Sequence, residues 1–165
     1  MHPISQSLFE TYEILLSKGE IFYPLTDLHK RAIDSTVKTV EASYYGHVRF
    51  PTFESKAAAY FVFLIKDHDV FDGNKRLAVL WLKTYTSRHG LKLNLPIDTS
   101  LAELAVGIET YKEDLDALVQ VITLVLFHGE AFQLRQSNLL CTINNSTEKN
   151  CFALEFTYSA NSLRI

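Results

Sequence analysis

Read along the chain, apolar positions recur at helical spacing far more often than at strand spacing. Residues 5–18 set Leu8, Tyr12, Leu15 and Leu16 on one face and stop at Gly19, which predicts a first helix. Residues 20–25 hold Phe22, Tyr23 and Pro24 and read as a connector. A second helix is expected over 26–43. There Leu28, Ala32, Ile33, Val37 and Val40 form a buried stripe, while Lys30, Asp34, Lys38 and Glu41 form a solvated face. Gly46 and Pro51 interrupt that pattern, so 44–53 is either an ordinary surface loop or a short hairpin acting as a flap. Residues 57–65 are apolar without a break. Their alanines and their length predict a helix over 56–67, apolar all round and therefore central. The next apolar run, 77–82, belongs to a helix from about 75 to 89, closed by Gly90, with Trp81 in the core. Ser100-Leu101-Ala102-Glu103 has the capping-box pattern and predicts a helix ending near Gly107. A last helix starts at about Asp114, buries Leu115, Leu118, Val119, Ile122, Val125 and Leu126, and ends near His128 and Gly129.

Residues 131–165 differ in character. Asn144-Asn145-Ser146-Thr147 is a turn signal beside β-prone runs such as 151–158, which read as a small hairpin or a loosely held tail. The expected organisation is an all-α domain over 1–130, with at most minor β structure, followed by an extension of unknown role. The 165 residues, 47% apolar and 21% charged, suit one globular core. A net charge of −3 argues against a broad nucleic-acid surface. No apolar run approaches the ~20 residues needed to span a bilayer. The N-terminus lacks the cationic and apolar regions of a signal peptide. Cys141 and Cys151 form neither a metal cluster nor a disulfide framework and read as reduced thiols, as in a cytoplasmic protein.

Between the two most apolar runs lies His68-Asp69-Val70-Phe71-Asp72-Gly73-Asn74-Lys75-Arg76. A polar loop clamped between buried segments is costly unless its groups find partners or water, and such loops are usually sites on a rigid frame. A loop that opens a helix presents N–H groups and a dipole that suit an anion. Gly73 permits close backbone approach, and Arg76 returns a fork of donors to the same place. Asp72 suits a hard cation such as Mg²⁺. Asn74 either binds an oxygen or fixes the loop. His68 has the intrinsic pKa of a general base. Taken singly, each residue is more often a cap, a turn residue or a solvated charge; the joint pattern carries the reading. A calcium loop is excluded because Ala78 stands where the last glutamate is needed, and a Walker-type phosphate loop lacks its upstream glycine. A metal-dependent hydrolase pair would need further ligands, and the spacing of His29 and His47 does not argue for them.

The nine residues together resemble the signature loop of the Fic/Doc family: a histidine, an apolar residue two on, an acid, Gly or Ala, Asn, Gly or Lys, then Arg. The resemblance extends over about 100 residues, from the helix at 26 to the helices ending near 122, and leaves 131–165 uncovered. It implies a helical bundle around a central helix–loop–helix with a small β flap. It also implies His68 as the base that activates a hydroxyl of a target protein, Asp72 as the Mg²⁺ ligand, and Gly73, Asn74, Lys75 and Arg76 at the phosphates of ATP or another nucleoside triphosphate. Val48, Arg49 and Phe50 would lie in the flap that docks the target by strand addition.

Three departures bear on activity. Asp69 stands where Fic members have proline and would place a charge beside His68. Val70 replaces a phenylalanine and is a smaller plug. Lys75 is the residue of Doc-like members, which transfer phosphate, whereas members that transfer AMP carry glycine; Gly73, however, is the Fic-like choice where Doc has alanine. The resemblance therefore implies phosphate transfer to a Ser, Thr or Tyr hydroxyl, with AMP transfer or an inactive binding module as alternatives. The chain shows no match to the family's glutamate-bearing inhibitory helix, so restraint of a toxin would come from a separate antitoxin.

Overall fold

A helix apolar on every side must be surrounded, and α3 (Phe53–Lys66) is: all of Ala57 to Ile65 is buried. The structure, a computed structural model, describes residues 2–112 and 114–129. The expected extension, with its turn at 144–147 and Cys141 and Cys151, lies outside them. Around α3 pack α2 (Asp27–Val40), α4 (Asn74–Arg88), α5 (Leu101–Thr110) and α6 (Leu115–His128); α1 (Pro3–Ser17) closes the bundle against α2 and α4. Two-residue strands β1 (Ser43–Tyr44) and β2 (His47–Val48) pair antiparallel, Ser43 with Val48 and Tyr44 with His47. The expected all-α fold with a minor β element is what forms.

Local chemistry sets the helix ends. Thr26, Thr52 and Ser100 each cap a helix with a reciprocal capping box, and Asp114 accepts from Asp116 and Ala117 at the start of α6. Three aromatic rings lock α3 to α4: Tyr60, Trp81 and Tyr85 stand 5.7–6.1 Å apart. Burial pushes the Tyr85 hydroxyl up to about 12, and raises that of Tyr60 further.

Several details differ from the sequence reading. Leu28 is 68% exposed, because Leu28 falls in the first turn of α2, outside the Ile33, Val37 and Val40 stripe that meets the core. The helix opened by Ser100 runs through Gly107 to Thr110, since one glycine costs only about 1 kcal/mol and Ile108 gains a fully buried place. Glu41 is not merely solvated: it accepts from Lys56 Nζ and from Tyr60 Oη, the latter at 2.9 Å.

Candidate functional site

The signature loop joins the C-terminal end of α3 to the N-terminal end of α4. The chain turns sharply there: His68 has φ 50° and Gly73 φ 86°. Gly73 is fixed by more than its dihedral. A Cβ built on it would overlap Cγ2 of Ile21, a fully buried residue of the connector between α1 and α2. The same connector is tied down by Tyr12, whose hydroxyl donates to the Tyr23 carbonyl at 2.7 Å. Tyr23 in turn meets the Phe71 ring edge-on at 5.0 Å. The connector is thus the floor of the loop.

Asn74 settles which of its two expected uses it serves. Its Oδ1 accepts from Val70 N–H at 3.0 Å and its Nδ2 donates to Val70 O at 2.7 Å. This two-point bond holds the loop closed while the Val70 side chain plugs the core. The smaller plug is therefore anchored through its own peptide.

The polar groups sort into those turned inward and those left facing solvent. Asp69 is 5% exposed and turned inward, and burial pushes its carboxyl up to about 6. Thr36 on α2 donates to Asp67 Oδ2 at 3.0 Å and also hydrogen-bonds Asp69, whose Oδ2 has no partner. Asp69, expected to place a charge beside His68, is a buried side chain turned toward Thr36. The acids whose fields include His68 are Asp67 and Glu109. His68 itself is exposed just past α3.

Asp72 and Arg76 face the opening of α4. Their closest approach is 3.6 Å, with side chains 31% and 48% exposed, so neither is consumed by the other. Alone among the six described helices, α4 has no side-chain cap at its N-terminus. Its first N–H groups and Arg76 therefore converge on one place where an anion is favoured. Lys75, expected at the same phosphates, instead donates to Glu109 Oε2 of α5 at 2.7 Å. Among the described residues no group of three or more His, Cys, Asp or Glu gathers to hold a metal. One carboxylate beside an anion site is nonetheless a donor set that fits Mg²⁺, which takes most of its ligands from water and phosphate.

The three flap residues separate. Val48 is exposed, Phe50 is buried against Phe63, and Arg49 forks onto Asp116 at 2.6 and 3.3 Å. Both residues of β2, His47 and Val48, are exposed. Ile21, Thr36 and Glu109 are the site residues missed in the sequence; each meets the loop from a distant element, and no spacing rule links them to it. Beside the loop a groove of about 440 Å³ runs along α4, with Val79, Leu80 and Ala105 in its lining and Lys18, Lys83 and Glu20 among its charged residues.

Toxin Doc of Mycolicibacterium smegmatis (strain ATCC 700084 / mc(2)155) is 35% identical over 89 residues, 52% of this chain and 67% of that protein. No family model matches, and no solved structure does. With the loop, its helical frame and that identity together, this chain belongs to the Doc-like branch of the Fic/Doc family.

Proposed function

We propose that the protein is a cytoplasmic transferase that moves the γ-phosphate of ATP, or of another nucleoside triphosphate, to a Ser, Thr or Tyr hydroxyl of a target protein. The observation that carries this reading is the uncapped start of α4, with Arg76 and Asp72 beside it and exposed His68 one loop away. The N–H groups of α4 and Arg76 receive the phosphates. Asp72 holds Mg²⁺, which offsets phosphate charge. His68 takes the proton of the hydroxyl as its oxygen bonds to phosphorus, and the nucleoside diphosphate leaves with the electrons of the broken P–O bond. The β2 edge offers free backbone groups to an extended segment of the target.

The likeness to a protein named Toxin Doc supports a toxin, and a toxin needs a separate antitoxin. The groove along α4 supports an acidic, amphipathic partner: its floor is apolar, and Lys18, Arg76 and Lys83 outnumber Glu20 around it, with Lys75 paired to Glu109. Gly73 favours a second reading, AMP transfer, because it is the residue of Fic members at a position where Doc has alanine.

Label transfer from ATP carrying ³²P at either the α or the γ position decides between them. The protein and its His68→Ala variant are incubated with Mg²⁺ and a bacterial lysate. A band labelled from γ alone, and dependent on His68, is the expected result. A band labelled from α alone means AMP transfer. No His68-dependent label from either leaves a nucleotide-binding module without turnover.

A further inference from the structure

Lys75 is the residue that favours phosphate over AMP transfer in the proposed reading, yet its ammonium is already matched. Glu109 stands at the penultimate position of α5, and its Oε2 lies 2.7 Å from Lys75 Nζ. The pair is not a chance surface contact, because the end of α5 is itself held in place. Lys66, the last residue of α3, donates to the carbonyls of both Glu109 and Tyr111. This charge on the exposed carbonyls of α5 is favourable and fixes the height at which Glu109 meets α4. Lys75, Lys66 and His68 all favour the ionised Glu109, and its carboxyl is held below the ordinary range, first by the bond from Lys75.

The electrostatics of α4 explain why an acid belongs here. Lys75 and Arg76 are cations in the first turn of a helix whose N-terminal dipole is also positive. Asp72 relieves Arg76 only at 3.6 Å, whereas Glu109 relieves Lys75 at full hydrogen-bond contact. A polyphosphate arriving at this end of α4 brings the charge that Glu109 now supplies.

Resting on the phosphate-site reading above, we infer that Glu109 is an internal stand-in for nucleotide phosphate: a positioning residue that occupies Lys75 and is displaced when a nucleoside triphosphate binds. Lys75 remains paired with or without ligand, so its side chain stays ordered in both states. Part of the attraction between Lys75 and phosphate is spent on releasing Glu109, which weakens binding and keeps the cradle shut to smaller anions.

The test is a double-mutant cycle on Mg²⁺–ATP binding by the full chain, measured calorimetrically for wild type, Glu109→Gln, Lys75→Met and the double variant, with thermal melting as the folding check. Glu109→Gln should bind roughly two- to fivefold tighter, the range of a half-exposed pair. Lys75→Met should bind more weakly, and the Glu109→Gln gain should vanish in its background. A full gain in the Lys75→Met background means that Glu109 acts by general repulsion, and the inference fails while the phosphate site stands. Weaker binding by Glu109→Gln means that Glu109 presents Lys75 to the ligand, which also overturns it. If neither wild type nor Glu109→Gln binds ATP, the phosphate-site reading and the inference fail together.

Discussion

α3 carries a polar cluster at each end, and the two satisfy their charges in opposite ways. Toward its N-terminal end, Glu41 accepts from Lys56 and Tyr60, and the two charged side chains are only about one-fifth exposed, at 20% and 21%. Every group there has a partner of opposite character. Past its C-terminal end, His68 is exposed, Arg76 and Asp72 barely touch, and α4 starts without a cap. The residue types are similar. One cluster spends its polar groups on the fold, and the other keeps them available.

The largest expected effect separates the two ends directly. His68→Ala should lower label transfer by at least about 10²-fold, as loss of a general base does, with little change in melting. Glu41→Ala should cost about 2–3 kcal/mol of stability, because Lys56 and Tyr60 lose their acceptor in a largely covered setting. Its transfer per folded molecule should be unchanged. A melting curve and a γ-label assay on both variants check the pair. Loss of transfer by folded Glu41→Ala protein would break the division between the two ends.

Next in size is Gly73→Ala. The positive φ and the overlap with Ile21 should together cost about 2 kcal/mol and distort the phosphate turn. Removing the obstacle with Ile21→Ala opens a cavity of its own. The useful quantity is therefore the coupling in the double variant, expected near 1 kcal/mol and favourable. Denaturant melts of the four proteins measure it. Additive losses would mean that Ile21 yields freely and that the glycine is required by dihedral alone.

That contact shows where the sequence stops being informative. Helix limits at Thr26, Ser100 and Asp114 were legible because their causes are local, each bonding to residues within three positions, whereas Thr52, which caps α3 and starts it at Phe53 rather than at the expected 56, went unread. The loop itself was legible as a run of nine residues. The partners of Gly73, Asp69 and Lys75 were not, since Ile21, Thr36 and Glu109 lie on other elements and carry no motif. The hairpin was half legible for a related reason. Its two-residue turn needs positive φ twice, and Gly46 announces one while Tyr45, at φ 51°, pays for the other with strain.

Asp69 gives an effect of similar or smaller size that depends on pH. Burial pushes its carboxyl up to about 6, well above the ordinary value near 4. Between those values the folded chain holds a proton that the unfolded chain has lost. Asp69 therefore costs nothing below the unfolded value, costs progressively more as pH rises, and exerts its full penalty above about pH 6. Asp69→Asn should remove that dependence: its stability relative to wild type should rise by about 2 kcal/mol from pH 4 to pH 7. Melts at the two pH values read this directly. A constant difference would mean that Asp69 is ionised throughout and finds compensation from Thr36.

The smallest effect tests whether the flap belongs with the chemistry or with the frame. Arg49 roots the hairpin by forking onto Asp116, and its guanidinium lies 5.2 Å from the rings of Phe50 and Phe63. Burial raises the carboxyl of Asp67, and Arg49 is among the groups that oppose that rise, so the hairpin root acts on the start of the signature loop. Arg49→Lys keeps the charge but loses the fork and the stacking, so stability should fall by about 1 kcal/mol. If β2 docks the target, KM for the target protein should rise while ATP affinity stays constant, because the phosphate end of α4 is built from other residues. A change in ATP affinity as well would place the hairpin and the cradle in one mechanical unit. The contrast between the ends of α3 would then have to include the flap on the side of the available charges.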